Sequence, residues 1–132
     1  MMYSPLTDNS IFVFGSNLGG RHGAGAALYA RQHCGAIYGQ GAGLQGRSFA
    51  IPTKDARLRT LPLSEIAKYV KKFVTYAAIC DLKGVKWQFN VTPIGCGLAG
   101  YSPKDIAPMF KNALDLPNVS LPPEFLEVLN SD

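Results

Sequence analysis

Several patterns that mark membrane, secreted or metal-binding proteins are missing from this chain. No run of about 18 apolar residues occurs, so we expect no membrane-spanning helix. The N-terminal residues lack the basic start and apolar centre of a signal peptide. The three cysteines, Cys34, Cys80 and Cys96, form no CxxC pair. We therefore expect neither a disulfide framework nor a zinc site, and a reducing, cytoplasmic location.

Charged residues are also scarce. They make up 17% of the chain against 47% hydrophobic residues, a composition that argues against disorder. The length of 132 residues suits one domain, to which we assign residues 1–132. The net charge of +4 favours an anionic ligand such as a nucleotide, but it does not establish nucleic-acid binding.

Glycine, in contrast, is abundant and clustered. Ten of the 14 glycines lie within residues 15–46 and three within residues 95–100. Strand, glycine loop and helix patterns alternate along the chain, which predicts an α/β fold with a mostly parallel or mixed central sheet. The expected strands are 11–14, 48–51 (closed by Pro52), 87–92 and 119–121, and the expected helices are 24–33, 62–80 and one that begins after Ser102. The buried stripe of that last helix is predicted to be Ile106, Met109, Phe110, Ala113 and Leu114.

Two glycine loops, residues 15–25 and 95–100, each follow a strand and precede a helix. In α/β folds such loops lie at the carboxyl ends of the strands, where ligands bind, so we expect both at one sheet edge. Glycine lets backbone N–H groups approach an anion closely, and a helix N-terminus adds partial positive charge. Two loops of this kind suit a diphosphate. Tight turns and close helix packing are the alternative explanation.

Known nucleotide signatures are not present. The chain has no GxxxxGK[ST] motif, which excludes a P-loop, and no GxGxxG after the first strand. Instead, three segments are similar to those of macro domains. These are residues 21–27 (RHGAGAA), 49–54 (FAIPTK) and 91–98 (VTPIGCGL). The chain most resembles the terminal ADP-ribose glycohydrolase branch over roughly residues 11–114. The resemblance implies a three-layer α/β/α fold that binds ADP-ribose.

Two positions depart from the family pattern. The branch carries a catalytic acid directly after its IGCGL segment, where this chain has Ala99. Macro domains also use an acidic residue upstream of the first motif strand to hold the adenine amine. Asp8 is the acidic residue available there, in a different sequence context.

The resemblance implies a catalytic role for Lys54, because the branch uses a lysine at this position to attack the ribose C1″. A lysine can attack carbon only as the neutral amine. A surface lysine after a strand is the alternative. The neighbouring Asp55 could substitute for the missing acid, although adjacent residues on an extended chain point to opposite sides.

The remaining candidates would hold the ligand. Macro domains hold the distal ribose with an asparagine, and the resemblance implies this role for Asn17. A turn residue is the alternative. Arg21 could bind the diphosphate, His22 a ribose hydroxyl or phosphate, and Tyr101 could cover the distal ribose. The complete ligand-binding set is Asn17, Arg21, His22, Gly23, Ala24, Gly25, Ile94, Gly95, Cys96, Gly97, Leu98, Ala99, Gly100 and Tyr101.

The sequence therefore favours a module that binds ADP-ribose or a related NAD-derived nucleotide, without a metal or cofactor. The second hypothesis is an ADP-ribosyl hydrolase that uses Lys54 and acts on ADP-ribosylated protein or nucleic acid. A nucleic-acid-binding protein, suggested by the net charge and by Lys68, Lys71 and Lys72, is the third.

Overall fold

Five strands form one mixed sheet. The computed structural model describes residues 9–131. Its strands are β1 (Ser10–Asn17), β2 (Gly43–Gln45), β3 (Ser48–Lys54), β4 (Gln88–Val91) and β5 (Val119–Ser120). Their order across the sheet is β2-β3-β1-β4-β5. β1 runs parallel to β3 and β4, β5 runs parallel to β4, and β2 runs antiparallel to β3. The carboxyl ends of β1, β3 and β4 therefore share one sheet edge.

Helices cover both faces of the sheet. They are α1 (Gly25–His33), α2 (Leu63–Leu82), α3 (Pro103–Ile106), a 3-10 helix (Ala107–Asp115) and α4 (Pro123–Asn130). Ala27 and Ala30 of α1 pack on one face, whereas α2, the 3-10 helix and α4 pack on the other. The predicted α/β class, with three α/β/α layers and a mixed sheet, is confirmed.

The central strand shows why an uninterrupted apolar run was needed. Ile11 and Val13 of β1 point into the core on the α2 side, while Phe12 and Phe14 point into the core on the α1 side. A strand covered by helices on both faces has no solvent-facing positions, so its sequence does not alternate. This arrangement fixes the end of β1, and the loop after it, between the two helical layers.

The expected helices over 24–33 and 62–80 agree with α1 and α2 to within about two residues. The buried positions of α2 include Ile66, Val70, Phe73 and Ala77, spaced three or four residues apart. The N-cap predicted at Ser102 is confirmed, since α3 begins at Pro103, and Oδ2 of Asp105 accepts both the backbone N–H and the hydroxyl of Ser102.

Three strand predictions need correction. β1 does not end at Phe14 but continues to Asn17, because the backbone of Gly15 and Ser16 pairs with β3. β3 continues through Pro52 to Lys54. The neighbouring strand β2 pairs only with Ser48–Ala50 of β3. Pro52, which has no backbone N–H, therefore has no strand beside it on the β2 side that would need this donor. The segment 39–46, predicted as a loop, contains β2.

The stripe predicted after Ser102 is wrong at one position. Leu114 is 44% exposed, whereas Phe110 and Ala113 are buried. After one turn the α-helix tightens into the 3-10 helix, which has three residues per turn, so the buried face recurs at Ala107, Phe110 and Ala113. The prediction used α-helical spacing, which placed Leu114 on the buried face by mistake.

Candidate functional site

The two glycine loops lie at the same carboxyl edge of the sheet, as the sequence predicts, because one follows β1 and the other follows the parallel strand β4. A Cβ on Gly15 of β1 would lie 3.7 Å from the backbone nitrogen of Gly95, which follows β4, and 3.7 Å from Cγ2 of Thr53 in β3. The end of β1 is thus packed closely against the Thr53 side chain and the backbone that follows β4. This packing brings residues from distant parts of the chain to one place.

The first loop is shorter than the predicted residues 15–25, because β1 extends to Asn17 and α1 begins at Gly25. The loop therefore spans residues 18–24, and the amide of Asn17 holds it in place. Its Oδ1 accepts from the Arg21 N–H at 2.9 Å, and its Nδ2 donates to the Arg21 carbonyl at 3.0 Å. The Gly20 N–H donates to the Asn17 carbonyl at 2.9 Å. Asn17 is buried and organises the turn, as expected for a turn residue, which was one of the two roles considered for it. Its contact with a ribose stays a prediction.

Five residues of this region are open to solvent: Leu18, Arg21, Gly23, Ala24 and Gly25. α1 begins at Gly25 with no side-chain cap and no acidic residue in its first turn. Its first N–H groups therefore remain available to an outside acceptor. The guanidinium of Arg21 makes no ion pair within residues 9–131.

His22 lies in the same loop but points inward. Its ring is fully buried, stands edge-on to Phe14 at 5.3 Å between centroids, and bonds through Nε2 to the Gln40 carbonyl at 3.0 Å. A ligand has no access to this ring in the conformation described here. The predicted contact of His22 with a ribose or phosphate would need the loop to move.

The second loop, residues 95–100, offers its backbone to solvent. Gly95 has φ +79°, and a Cβ there would lie 3.0 Å from Cδ1 of Ile106, so this position favours glycine. In the part of the chain that the structure describes, the N–H groups of Gly97, Leu98 and Ala99 have no hydrogen-bond partner. These three consecutive donors are what an anion cradle requires.

The side chains in and beside the second loop differ in their exposure to solvent. Ile94 is buried, whereas Gly97, Gly100 and the 74% exposed Leu98 lie at the surface. The Cys96 thiol is partly buried against the Ile94 carbonyl, and this burial raises its pKa to about 11. At neutral pH it is a protonated thiol, consistent with the small filler that the sequence indicated.

The segment 54–61 lies between the two loops and bonds to both. The Lys54 carbonyl, at the end of β3, accepts from the Leu18 N–H at 2.9 Å. Thr60 donates from Oγ1 to the Ala99 carbonyl at 3.1 Å, and Tyr101 donates from its hydroxyl to the Leu61 carbonyl at 2.7 Å. The hydroxyl of Tyr101 is thus engaged with the protein, while its ring remains half-buried.

The two predicted catalytic side chains differ in their surroundings. Lys54 is half-buried, and its ammonium has no hydrogen-bond or ion-pair partner in the described part of the chain. Asp55 accepts the backbone N–H groups of Arg57 and Arg59 and pairs with Nε of Arg59. The Arg59 N–H contributes most to holding the pKa of this carboxyl below its usual value. Asp55 is therefore ionised at neutral pH, so it can accept a proton but has none to donate.

Residues 39–46, which the sequence analysis left without a role, lie directly behind the first loop. Gln40 and Gln45 contact His22, and Gly39 donates its N–H to the Gly20 carbonyl at 2.9 Å. A signal was present in the sequence, since glycines at 39 and 41 indicate close approach of the backbone. The sequence did not reveal which part of the chain they approach.

Two surface depressions among the described residues lie away from this sheet edge. One of about 590 Å³ follows the outer side of α2, beside Tyr69, Lys72 and Tyr76. A smaller one of about 340 Å³ lies between α2 and Asn112 and Leu116. Both are shallow and carry no convergent backbone donors, so we place the candidate site at the sheet edge on hydrogen-bonding grounds rather than on size.

Residues 9–131 lack the features of two other classes of site. No group of three or more His, Cys, Asp or Glu side chains there could hold a metal ion. No helix in that range is long and apolar enough to cross a membrane. Asp8, considered above for the adenine amine, lies outside the described residues.

Comparisons with family models, with curated proteins and with solved structures found no match for this chain.

Proposed function

We propose that this protein binds ADP-ribose or a related NAD-derived nucleotide in the cytoplasm, with the diphosphate between the two glycine loops. The observation that carries the proposal is the row of unpaired N–H groups at Gly97, Leu98 and Ala99 in the loop after β4, together with the uncapped start of α1 that follows the neighbouring parallel strand β1. Backbone donors and a helix N-terminus together favour a phosphate oxyanion. The macro-like segments described above supply the choice of nucleotide.

The charges around the loops support an anionic ligand. Arg21, Lys54 and Arg57 form no ion pair among the described residues, whereas the nearby carboxylate of Asp55 is neutralised by Arg59. Cations left without partners beside backbone donors lower the free energy of a bound diphosphate. Long-range attraction of this kind weakens as salt is added, so affinity should fall with ionic strength.

Two glycines allow a test that does not disturb the fold. A Cβ on Gly97 would meet nothing within 4 Å, and one on Gly23 only the Arg21 carbonyl at 4.0 Å. Both Gly97→Ala and Gly23→Ala should therefore keep the wild-type Tm, yet each adds a methyl where the phosphates approach. We expect each to weaken ADP-ribose binding about tenfold or more by calorimetry.

Thr75→Ala, on the outer side of α2, is the matched control and should bind like the wild type. ADP-ribose binding by the wild type with no loss in either glycine variant would contradict the placement of the diphosphate. No heat and no thermal shift with ADP-ribose or related nucleotides would contradict the proposed function itself.

A second candidate function is removal of ADP-ribose from protein or nucleic acid by Lys54. The observation that favours it is the position of Lys54, opposite Asn17 in the β1–β3 register and between the two loops, with its ammonium unpaired in the described range. Lys54→Ala should abolish turnover of a mono-ADP-ribosylated substrate, and Lys71→Ala on the outer side of α2 should not. Turnover that survives Lys54→Ala would refute this assignment.

Nucleic-acid binding by α2 remains a prediction with less support. Lys68 pairs with Glu65 at 3.0 Å, and Lys72 lies over the ring of Tyr69 at 5.4 Å, so two of its three lysines already have partners. Binding to an oligonucleotide that is lost on replacing Lys71 and Lys72 and that weakens steeply with salt would support it. Absence of binding at low salt would dismiss it.

A further inference from the structure

The first glycine loop is supported from behind by a second backbone rather than by side chains. A Cβ on Gly20 would lie 2.7 Å from Cα of Gly39, and one on Gly41 would lie 2.7 Å from the Leu18 carbonyl oxygen. The Ser16 hydroxyl also bonds the Gly41 carbonyl. Contact this close leaves the loop little room to move, provided that the segment behind it is itself held in place.

The side chain that joins the two segments is His22. Its Nε2 lies 3.0 Å from the Gln40 carbonyl oxygen and 3.2 Å from Oε1 of Gln45. That Gln45 atom is an oxygen, because it also accepts the Ile37 N–H at 2.8 Å. Both neighbours of Nε2 are therefore acceptors, so Nε2 must carry the hydrogen.

This tautomer leaves Nδ1 of His22 as a bare acceptor. The atom is buried and has no hydrogen-bond partner within the described residues. A leucine or phenylalanine would fill the same pocket, beside Phe14, without an unsatisfied acceptor. The histidine is therefore disfavoured as a packing residue, and the bond from Nε2 is what distinguishes it from an apolar side chain.

Gln45 and Gln40 complete the connection. Nε2 of Gln45 donates to the carbonyls of Gln40 and Gly43 at 3.2 and 3.3 Å. Nε2 of Gln40 donates to the carbonyls of Ala42 and Leu44 at 3.2 and 3.1 Å. The two amides thus hold residues 40–45 in one shape and present the Gln40 carbonyl to His22.

We propose that His22 is a positioning residue, which, with Gln45 and the segment 39–45 behind it, fixes the first glycine loop in the shape that receives the diphosphate. This inference rests on the proposed function for its ligand. A loop already ordered loses less conformational entropy when the ligand binds, so the bond from His22 contributes to affinity without touching the ligand. The glycine-rich segment 39–46 then has a role, because it supports the first glycine loop.

The test compares two replacements of one buried ring. His22→Leu keeps apolar volume and removes the donor, whereas His22→Gln places an amide N–H close to the position of Nε2. We expect Kd for ADP-ribose to rise about tenfold or more in His22→Leu and to return to within about threefold of the wild type in His22→Gln. Both are measured well below the Tm of each variant, so that only folded protein contributes.

Amide hydrogen exchange supplies a readout that needs no ligand. The Gly20 and Gly39 N–H groups, which bond Asn17 and Gly20, should exchange faster in His22→Leu and at the wild-type rate in His22→Gln. If the wild type binds no ADP-ribose, the proposed function fails while exchange still decides whether His22 orders the loop. Exchange that is equal in wild type and His22→Leu, or affinity that is unchanged in His22→Leu, would overturn the positioning role.

Should His22→Leu not fold, Gln45→Met provides the same comparison from the other side of the bond. It removes the Oε1 acceptor and the amide donors while His22 remains in place. The expected result is again faster exchange at Gly39 with weaker binding of ADP-ribose, and wild-type behaviour in both would contradict the proposal.

Discussion

Asp55 and Arg59 are joined by backbone and side-chain hydrogen bonds, which close the turn after β3. The Arg59 N–H and Nε donate to the two carboxylate oxygens of Asp55 at 2.9 Å, and the Asp55 N–H donates back to the Arg59 carbonyl at 2.8 Å. Arg57 adds a further N–H donor to the carboxylate. The carboxylate that the sequence offered as a replacement acid is thus an ionised element of the turn that follows Lys54.

This turn predicts a pH dependence of stability. Backbone N–H groups, chiefly that of Arg59, lower the folded-state pKa of Asp55 below its ordinary value of 3.8. Its contribution is therefore present in full well above pH 3.8 and is lost as pH falls through the lower folded-state pKa. We expect Asp55→Ala to lower Tm at pH 7, and the difference from the wild type to narrow as pH is lowered below 3.8, as measured by circular dichroism.

Glu65→Ala is the control for this comparison. Glu65 makes an exposed ion pair with Lys68 in the first turn of α2, and its loss should change Tm little. A Tm difference between Asp55→Ala and wild type that is the same at pH 2 and pH 7 would contradict the assigned role of the carboxylate.

The bond between Tyr101 and Leu61 predicts a separable effect on the second loop. Tyr101→Phe keeps the ring but leaves the Leu61 carbonyl without its donor at 2.7 Å, which should cost about 1 kcal/mol of stability. If the ring alone covers the ribose, ADP-ribose affinity should change less than in Tyr101→Ala. Denaturant unfolding and calorimetry measure the two quantities separately. Equal loss of affinity in both variants would assign the effect to the hydroxyl instead.

Much of the fold follows from short-range patterns in the sequence. The spacing of Ile66, Val70 and Phe73 defines the buried face of α2, and the apolar run of β1 requires cover on both sides. Strand ends were harder to predict, because β3 passes through Pro52 only where the neighbouring strand β2 has already ended. That condition depends on pairing between distant segments, which no local pattern contains.

The candidate site, like the fold, was predicted in part from local sequence patterns. Glycine spacing after two strands correctly predicted that the loops share one sheet edge. It did not predict that His22 points inward, because the acceptors that hold it belong to Gln40 and Gln45 in another segment. Nor did it predict that Asp55 is engaged by Arg59, since a turn carboxylate and a free one have the same local sequence.

Cys96 provides a chemical test of the second loop. Burial, and to a lesser extent the carboxylates of Glu124 and Asp105, raises the pKa of the Cys96 thiol from its ordinary value of 9.0 to about 11. The thiolate fraction at pH 8 is then about a hundredfold below that of an unperturbed thiol. We expect correspondingly slow alkylation by iodoacetamide, followed by mass spectrometry, with unfolded protein as the control. Labelling of folded and unfolded protein at the same rate would show that the thiol is not buried.

Cys96→Ala extends this prediction to function. A protonated thiol that fills space beside the Ile94 carbonyl contributes no nucleophile, so the variant should keep ADP-ribose affinity and any hydrolase activity. Loss of turnover with unchanged binding would reverse the assignment and make the thiol part of the chemistry.

The last prediction concerns two glycines three residues apart in the first loop. Gly20 has φ +68° and lies against the backbone of Gly39, whereas Gly23 has ordinary φ and open space around its Cα. Gly20→Ala combines an unfavourable backbone conformation with overpacking against a rigid backbone, and should destabilise the protein by about 2 kcal/mol or more. Gly23→Ala should stay within about 0.5 kcal/mol of wild type. Urea unfolding measures both, and similar losses in the two variants would contradict the close contact of Gly20 with the backbone of residues 39–40, since that contact and the positive φ both penalise a side chain at position 20 and not at position 23.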